Sequence, residues 1–180
     1  MKTLCTLLAV AVLGLSATPL LAALDKGQNA PRFTAQGAMA GKPIRVDLAT
    51  SLKKGPVVLY FFPAAFTSGC NLEAQAFAEA IDDFREAGAT VIGMTGGNTH
   101  QLREFSAKHC AGRFPVAAAS KDLIARYDVS LGRSTDKSGW SDRTTYVIDA
   151  DGKITFVYSD LKPHEHVTRS LAAVRALTDK

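Results

Sequence analysis

No Cys-x-x-Cys pair occurs in the 180 residues, and there are only three cysteines, Cys5, Cys70 and Cys110. The missing pair argues against a dithiol carrier, which holds both sulfurs within one turn. Four histidines are present. His164 and His166 stand two apart, so they do not share a helix face, and two ligands do not complete a metal site. They read as a solvated helix start, and no metal is expected. Beyond the N-terminal stretch, no apolar run reaches the roughly 20 residues that a spanning helix needs. Lys and Arg total 21 against 17 for Asp and Glu. The basic residues are scattered, with no stripe of interleaved aromatics, which leaves nucleic-acid binding with little support. Repeats, low-complexity tracts and long linkers are absent, so the chain reads as one domain with a sizeable core.

What is present begins with a leader. Met1-Lys2 is a positive start, Leu4 to Leu15 is apolar, and small residues run up to Ala23. This is the pattern of a secretory signal peptide. It predicts a leader over 1–22, cut after Ala22 or Ala23, and residues 23–180 as a single domain exported to a bacterial periplasm. Cys5 leaves with the leader, which leaves Cys70 and Cys110. An oxidising compartment lets such a pair form a disulfide. A structural staple and a reactive pair both remain open at this point.

Val57 to Phe62 is a continuous apolar run, suited to a central strand buried on both faces. It stops at Pro63. A short loop follows, and Cys70 stands where the spacing turns helical. Cys70 is therefore expected in the first turn of a helix. Free backbone N–H groups and the positive end of the helix dipole stabilise an anion there. A thiolate is an anion, so the position favours a reactive thiol. Thr67 can offer its hydroxyl to the sulfur, and the N–H groups of Gly69 and Cys70 are further donors.

The rest of the chain supplies a frame. Leu72, Ala76, Phe77, Ala80, Ile81 and Phe84 fall near one face and predict a single helix over 70–87, stopped by Gly88. Gly27 to Phe33 reads as extended, and Ile44, Val46 and Leu48 alternate like an edge strand. Thr90 to Met94 reads as a strand. Asn98 or Thr99 caps a helix reaching about Cys110. Phe114 to Ala118 is a strand and Asp122 to Tyr127 a short helix. Thr144 to Ile148 and Ile154 to Tyr158 form a hairpin across Asp151-Gly152. His164 to Leu177 is a closing amphipathic helix. This order predicts an α/β fold, a mixed sheet with helices on both faces, of thioredoxin-like architecture.

Pro63-x-x-x-Thr67-x-x-Cys70 resembles the active-site motif of the peroxiredoxins, thiol-dependent peroxidases on a thioredoxin-like fold. Gly27-x-x-Ala30-Pro31-x-Phe33 is similar to the family's opening. Val57 to Glu73 is similar to the strand, loop and helix start of its bacterioferritin-comigratory-protein (Q-type) subfamily. Arg143 to Ile154 is similar to its arginine strand and hairpin. The resemblance covers nearly all of 23–180. It implies that Cys70 attacks a peroxide oxygen and becomes a sulfenic acid. It implies that Arg143 donates to both sulfur and peroxide, that Thr67 orients them, and that Pro63 shields the sulfur. Glu73 and Gly69 fall in supporting positions. Arg133, in a Ser/Gly/Asp-rich loop, is the weaker candidate for the arginine.

In the Q-type subfamily a resolving cysteine stands five residues after the nucleophile, which is Gln75 here, or on the next helix, near Ser106. Cys110 lies one turn beyond Ser106, about 6 Å along the axis. The resemblance implies that Cys110 resolves the sulfenate as an intramolecular disulfide, after both helix ends unwind. A one-cysteine enzyme is the alternative. Ala117 to Lys121 departs from the family's usual Ser-Asp pair. The implied substrates are hydrogen peroxide and organic hydroperoxides, recycled by a thioredoxin-like dithiol reductant. No cofactor, metal, nucleic acid or membrane partner is implied once the leader is gone, and the expected state is a monomer or weak dimer. A thiol–disulfide exchange or redox-sensing module on the same fold is the second reading. An exported binding domain with a structural disulfide is the third.

Overall fold

The computed structural model describes residues 23–132 and 139–178. The expected leader, with Cys5, and Arg133 lie outside the described residues. Seven strands form one sheet: β1 (Thr34–Met39), β2 (Lys42–Asp47), β3 (Val57–Phe61), β4 (Thr90–Thr95), β5 (Val116–Ala118), β6 (Thr144–Ile148) and β7 (Ile154–Ser159). Their spatial order is β2-β1-β5-β4-β3-β6-β7. The strands β3, β4 and β5 run parallel, while β1 and β6 join them antiparallel. The hairpins β1–β2 and β6–β7 complete the edges.

All five residues of β3 are buried. Side chains alternate along a strand, so β3 feeds two cores. Val57, Leu59 and Phe61 enter one, with Leu48 of α1 (Leu48–Leu52) and Leu123 and Ile124 of α5 (Lys121–Arg126). Val58 and Tyr60, continued by Phe62, enter the other. There they meet α2 (Ser68–Glu79), α3 (Ile81–Glu86), α4 (Leu102–Lys108) and α6 (His166–Thr178). Helices on both faces are why this strand is apolar throughout.

Several elements differ from expectation. Thr34–Met39 is a strand that the sequence did not announce, since only Ala38 among its six residues is fully buried. Leu48 belongs to α1, because Asp47 ends β2 and caps the helix by accepting from Thr50 N at 2.7 Å. The expected helix over 70–87 is interrupted at Ala80, whose ψ of 4° takes it out of helical geometry. Asn98 caps nothing. It adopts φ 53°, a 3-10 turn (Thr99–Gln101) follows, and α4 ends at Lys108, so Cys110 lies past the helix. His166 is not solvated: it is fully buried, while His164 is exposed. Among the described residues no helix is long and apolar enough to cross a membrane.

Candidate active site around Cys70

The loop between β3 and α2 is held carbonyl by carbonyl. Ser141 Oγ donates to the Phe62 carbonyl at 2.7 Å, Thr95 Oγ1 to Pro63 at 3.0 Å, Thr67 Oγ1 to Ala64 at 3.0 Å and Asn98 Nδ2 to Ala65 at 2.9 Å. Gly97 lies flat against this loop. A Cβ there would stand 2.4 Å from the Pro63 carbonyl oxygen, so no larger residue fits. Phe66 turns the chain with φ 64°, a left-handed conformation costing a side-chain-bearing residue about 1–3 kcal/mol. Its ring rests against Phe105 and His109, with centroids 5.5 and 5.3 Å away. Thr67 is then extended and Ser68 opens α2. Cys70 becomes the third residue of the helix, only 1% exposed. A small reactant can reach a sulfur so enclosed more easily than a protein disulfide can.

Arg143, just before β6, is buried beside it. Its three nitrogens serve three different acceptors. Nη2 stands 3.5 Å from Cys70 Sγ, Nη1 donates to Glu73 Oε2, and Nε donates to the Leu161 carbonyl at 2.8 Å. Burial works against the Arg143 charge, but Glu73 and then Cys70 outweigh it and raise the guanidinium pKa. Burial pushes the Glu73 carboxyl up, and Arg143 pulls it back. Gly69 makes room for this arrangement, since a Cβ there would lie 3.2 Å from Arg143 Nη2.

Behind Glu73 stands His166. Its Nε2 is 2.8 Å from the Asp160 carbonyl oxygen and its Nδ1 is 2.8 Å from Thr145 Oγ1. A carbonyl only accepts, so Nε2 carries the proton and neutral Nδ1 accepts from Thr145. Burial pushes the imidazole down to about 4, which keeps it neutral. Glu73 Oε1 lies 3.8 Å from His166 Nδ1, buried and without a hydrogen-bond partner among the described residues.

Cys70 and Cys110 are both free and buried in the same core. Burial pushes the Cys110 thiol far up, so within the closed fold it is a poor nucleophile. Tyr60 is fully buried in that core, and its hydroxyl has no partner among the described residues.

The structure thus brings Cys70, Arg143, Glu73 and Gly69 together. Pro63 and Thr67 flank the loop, with the Thr67 hydroxyl given to Ala64 and not to the sulfur. A hydroxyl has one proton, so toward a reactant Thr67 can only accept. Thr95, Gly97, Asn98, Ser141 and His166 were missed. The Gly96-Gly97 pair was a visible turn signal, but nothing in the sequence tied it to the Cys70 loop. Among the described residues no group of three or more His, Cys, Asp or Glu side chains stands ready to hold a metal.

A family model described as the AhpC/TSA family matches residues 26–157. The chloroplastic peroxiredoxin Q of Sedum lineare is 31% identical over 160 residues, which span 88% of this chain and 82% of that protein. The chloroplastic peroxiredoxin Q of Arabidopsis thaliana is 35% identical over 159 residues, 87% of this chain and 70% of that protein. Among solved structures, peroxidoxin BcpB from Mycobacterium tuberculosis matches with a TM-score of 0.73 at 32% identity, over 84% of this chain and 97% of that chain.

Proposed function

The chain belongs to the AhpC/TSA family and is a thiol-dependent peroxidase of the peroxiredoxin Q type; from that premise we propose that Cys70 is its peroxide-reducing nucleophile. Its sheet, with helices on both faces, is the thioredoxin-like peroxiredoxin fold. The observation that carries the proposal is the Arg143 nitrogen 3.5 Å from a sulfur in the first turn of α2.

The thiolate attacks one oxygen of hydrogen peroxide or an organic hydroperoxide. An S–O bond forms, the O–O bond breaks, and sulfur gives up two electrons. The peroxide proton passes to the departing oxygen, and water or an alcohol leaves a sulfenate that takes up a proton from solvent to become the sulfenic acid. Arg143 holds the thiolate charge and donates to the leaving oxygen as charge develops on it. Thr67 accepts from the peroxide O–H and sets the line of attack. Pro63, without an N–H, keeps water from the sulfur's flank.

Cys110 then displaces water from the Cys70 sulfenic acid and forms a disulfide, which a thioredoxin-like dithiol reduces. Two facts support this order. Both sulfurs belong to one core, and burial pushes the Cys110 thiol up, which fits a thiol that acts only after the segment following α4 moves. The 1% exposure of Cys70 favours peroxide reduction over exchange with a protein disulfide. The proposal includes action outside the cytosol, on the strength of the leader pattern at 1–22, and a monomeric or weakly dimeric state.

Cys70→Ser is expected to abolish peroxide consumption. Cys110→Ser is expected to form one equivalent of trapped sulfenate and then stall with dithiol reductant. Sustained turnover of Cys110→Ser with a thioredoxin-like reductant removes Cys110 from the cycle. Mass spectrometry after one equivalent of peroxide reads the oxidised residue, the sulfur pairing and the leader cleavage site together.

A further inference from the structure

Cys70 and Glu73 are two acids on one helix that reach for the same guanidinium. One buried cation fully compensates only one anion. The side of Glu73 turned away from Arg143 carries an oxygen, Oε1, that is buried and, among the described residues, unpartnered. A carboxylate left in that state is costly. The fold places next to it, at 3.8 Å, the unprotonated ring nitrogen of His166, which accepts from Thr145. That nitrogen carries no proton because Nε2–H is committed to the Asp160 carbonyl.

We infer that Cys70 and Glu73 trade one proton across Arg143, and that His166 sets the balance by accepting a hydrogen bond from Glu73 once Oε1 is protonated. In the exchange the S–H bond of Cys70 breaks and an O–H bond forms at Glu73 Oε1. No electron moves, and the summed charge of Cys70, Arg143 and Glu73 does not change. Before it, Arg143 faces a carboxylate and a thiol. After it, Arg143 faces a carboxylic acid and a thiolate, and its charge turns to the sulfur. His166 is a positioning residue in this scheme, since it touches neither sulfur nor peroxide.

The surroundings fit these roles. The imidazole stays neutral because burial lowers it to about 4, so it acts as an acceptor and not as a second cation. Burial, opposed by Arg143, raises the Glu73 carboxyl to about 8, which lets it hold a proton near neutral pH. The groups facing the pair are Arg143 and Thr145 beside and on β6, Tyr60 on β3, the Tyr158 ring of β7 at 4.8 Å from His166, and Asp160 in the following loop. Thr145 is the rival, because its hydroxyl donates to the same Nδ1 lone pair at 2.8 Å.

The inference rests on Cys70 being the reactive thiolate, and its test uses no peroxide, so the two can fail separately. Iodoacetamide alkylation of the Cys70 peptide is followed by mass spectrometry in reduced protein between about pH 5 and 9, because only the thiolate reacts. His166→Gln retains a donor for the Asp160 carbonyl and loses the acceptor at Nδ1. It is expected to move the midpoint of the profile up by about one pH unit, a loss of about tenfold in rate on the acid side. His166→Asn, which returns an acceptor near Nδ1, is expected to recover most of that loss. Thr145→Val removes the rival donor at nearly constant volume and is expected to move the midpoint down. Glu73→Gln imitates the protonated acid, and in that background neither His166→Gln nor Thr145→Val is expected to add a shift. Coincident profiles for His166→Gln and the unsubstituted protein overturn the inference, as does a His166 effect that survives undiminished in Glu73→Gln. If His166→Gln does not fold, Thr145→Val decides alone. A downward shift that vanishes in Glu73→Gln supports the exchange, and any other result overturns it.

Discussion

Replacing Arg143 with lysine preserves the charge and removes the fork, which separates two contributions that other substitutions confound. The guanidinium serves Leu161, Glu73 and Cys70 through three different nitrogens. A lysine ammonium is a point charge on a flexible stem and cannot span all three. Glu73 is its strongest competitor, because a buried carboxylate stripped of its cation costs more than a thiol or a carbonyl stripped of a donor. The ammonium should therefore settle on Glu73, leaving the sulfur and the Leu161 carbonyl unserved. Losing a donor aimed at developing charge slows a reaction by about 10²–10³-fold. Losing the Leu161 bond costs about 1 kcal/mol, which for a domain of this size is about 2–4 °C in Tm. Quenched-flow trapping of the sulfenate measures the first step, and a thermal melt of reduced protein measures the second. A lysine variant within about threefold of the original rate, with Tm lowered as expected, would refute the claim that catalysis needs the donor geometry at the sulfur.

Two further predictions concern stability. Tyr60→Phe deletes a buried hydroxyl without a partner among the described residues, while keeping the ring stacked on Phe77 at 4.4 Å and Phe62 at 5.4 Å. It is expected to stabilise the reduced protein by about 1–2 kcal/mol in urea denaturation; a loss of stability would mean that the hydroxyl makes a bond. Burial raises the Asp142 carboxyl from its ordinary 3.8 to about 6, against the opposing bond from Thr144. The folded state thus binds the proton more tightly than the unfolded chain, so ionising Asp142 costs stability that is regained as pH falls through this window. At face value the cost is about 3 kcal/mol, which partial exposure trims to about 1–2 kcal/mol. Asp142→Asn should exceed the original protein in Tm near pH 7.5 and match it near pH 3.5; a gain of equal size at both pH values would contradict the assignment.

The parts of the site legible in the sequence were those written in consecutive residues. The β3 run, its stop at Pro63 and the helical spacing after Cys70 are local signals, and the fold obeys them. Thr144–Ile148 could be bounded because a turn signal and two apolar runs agree. What stayed hidden is long-range. Thr95, Asn98 and Ser141 look like ordinary loop polar residues until their donors meet the carbonyls of a loop tens of residues away. Asn98 beside a helix start imitates a cap, yet its amide is spent on Ala65. His166 looked solvated because it stands two residues from His164 at a helix start, too few ligands for a metal site. Its partners, Thr145 and the Asp160 carbonyl, meet it only through the β6–β7 pairing and the return of the chain into α6. β1 escaped because small residues on a thinly covered strand leave little alternation to read.

Phe66 has a consequence for timing. Its left-handed backbone belongs to the Cys70 loop, and its ring belongs to the contact with Phe105 and His109, one residue short of Cys110. When the loop opens, the backbone returns to a relaxed conformation and the strain is given back, which lowers the free energy of that opening. The same movement withdraws the ring that braces the end of α4. In the proposed cycle the two sulfur-bearing segments are therefore released as one cooperative unit. The fraction of time both are open is then the probability of a single event, not the far smaller product of two independent ones.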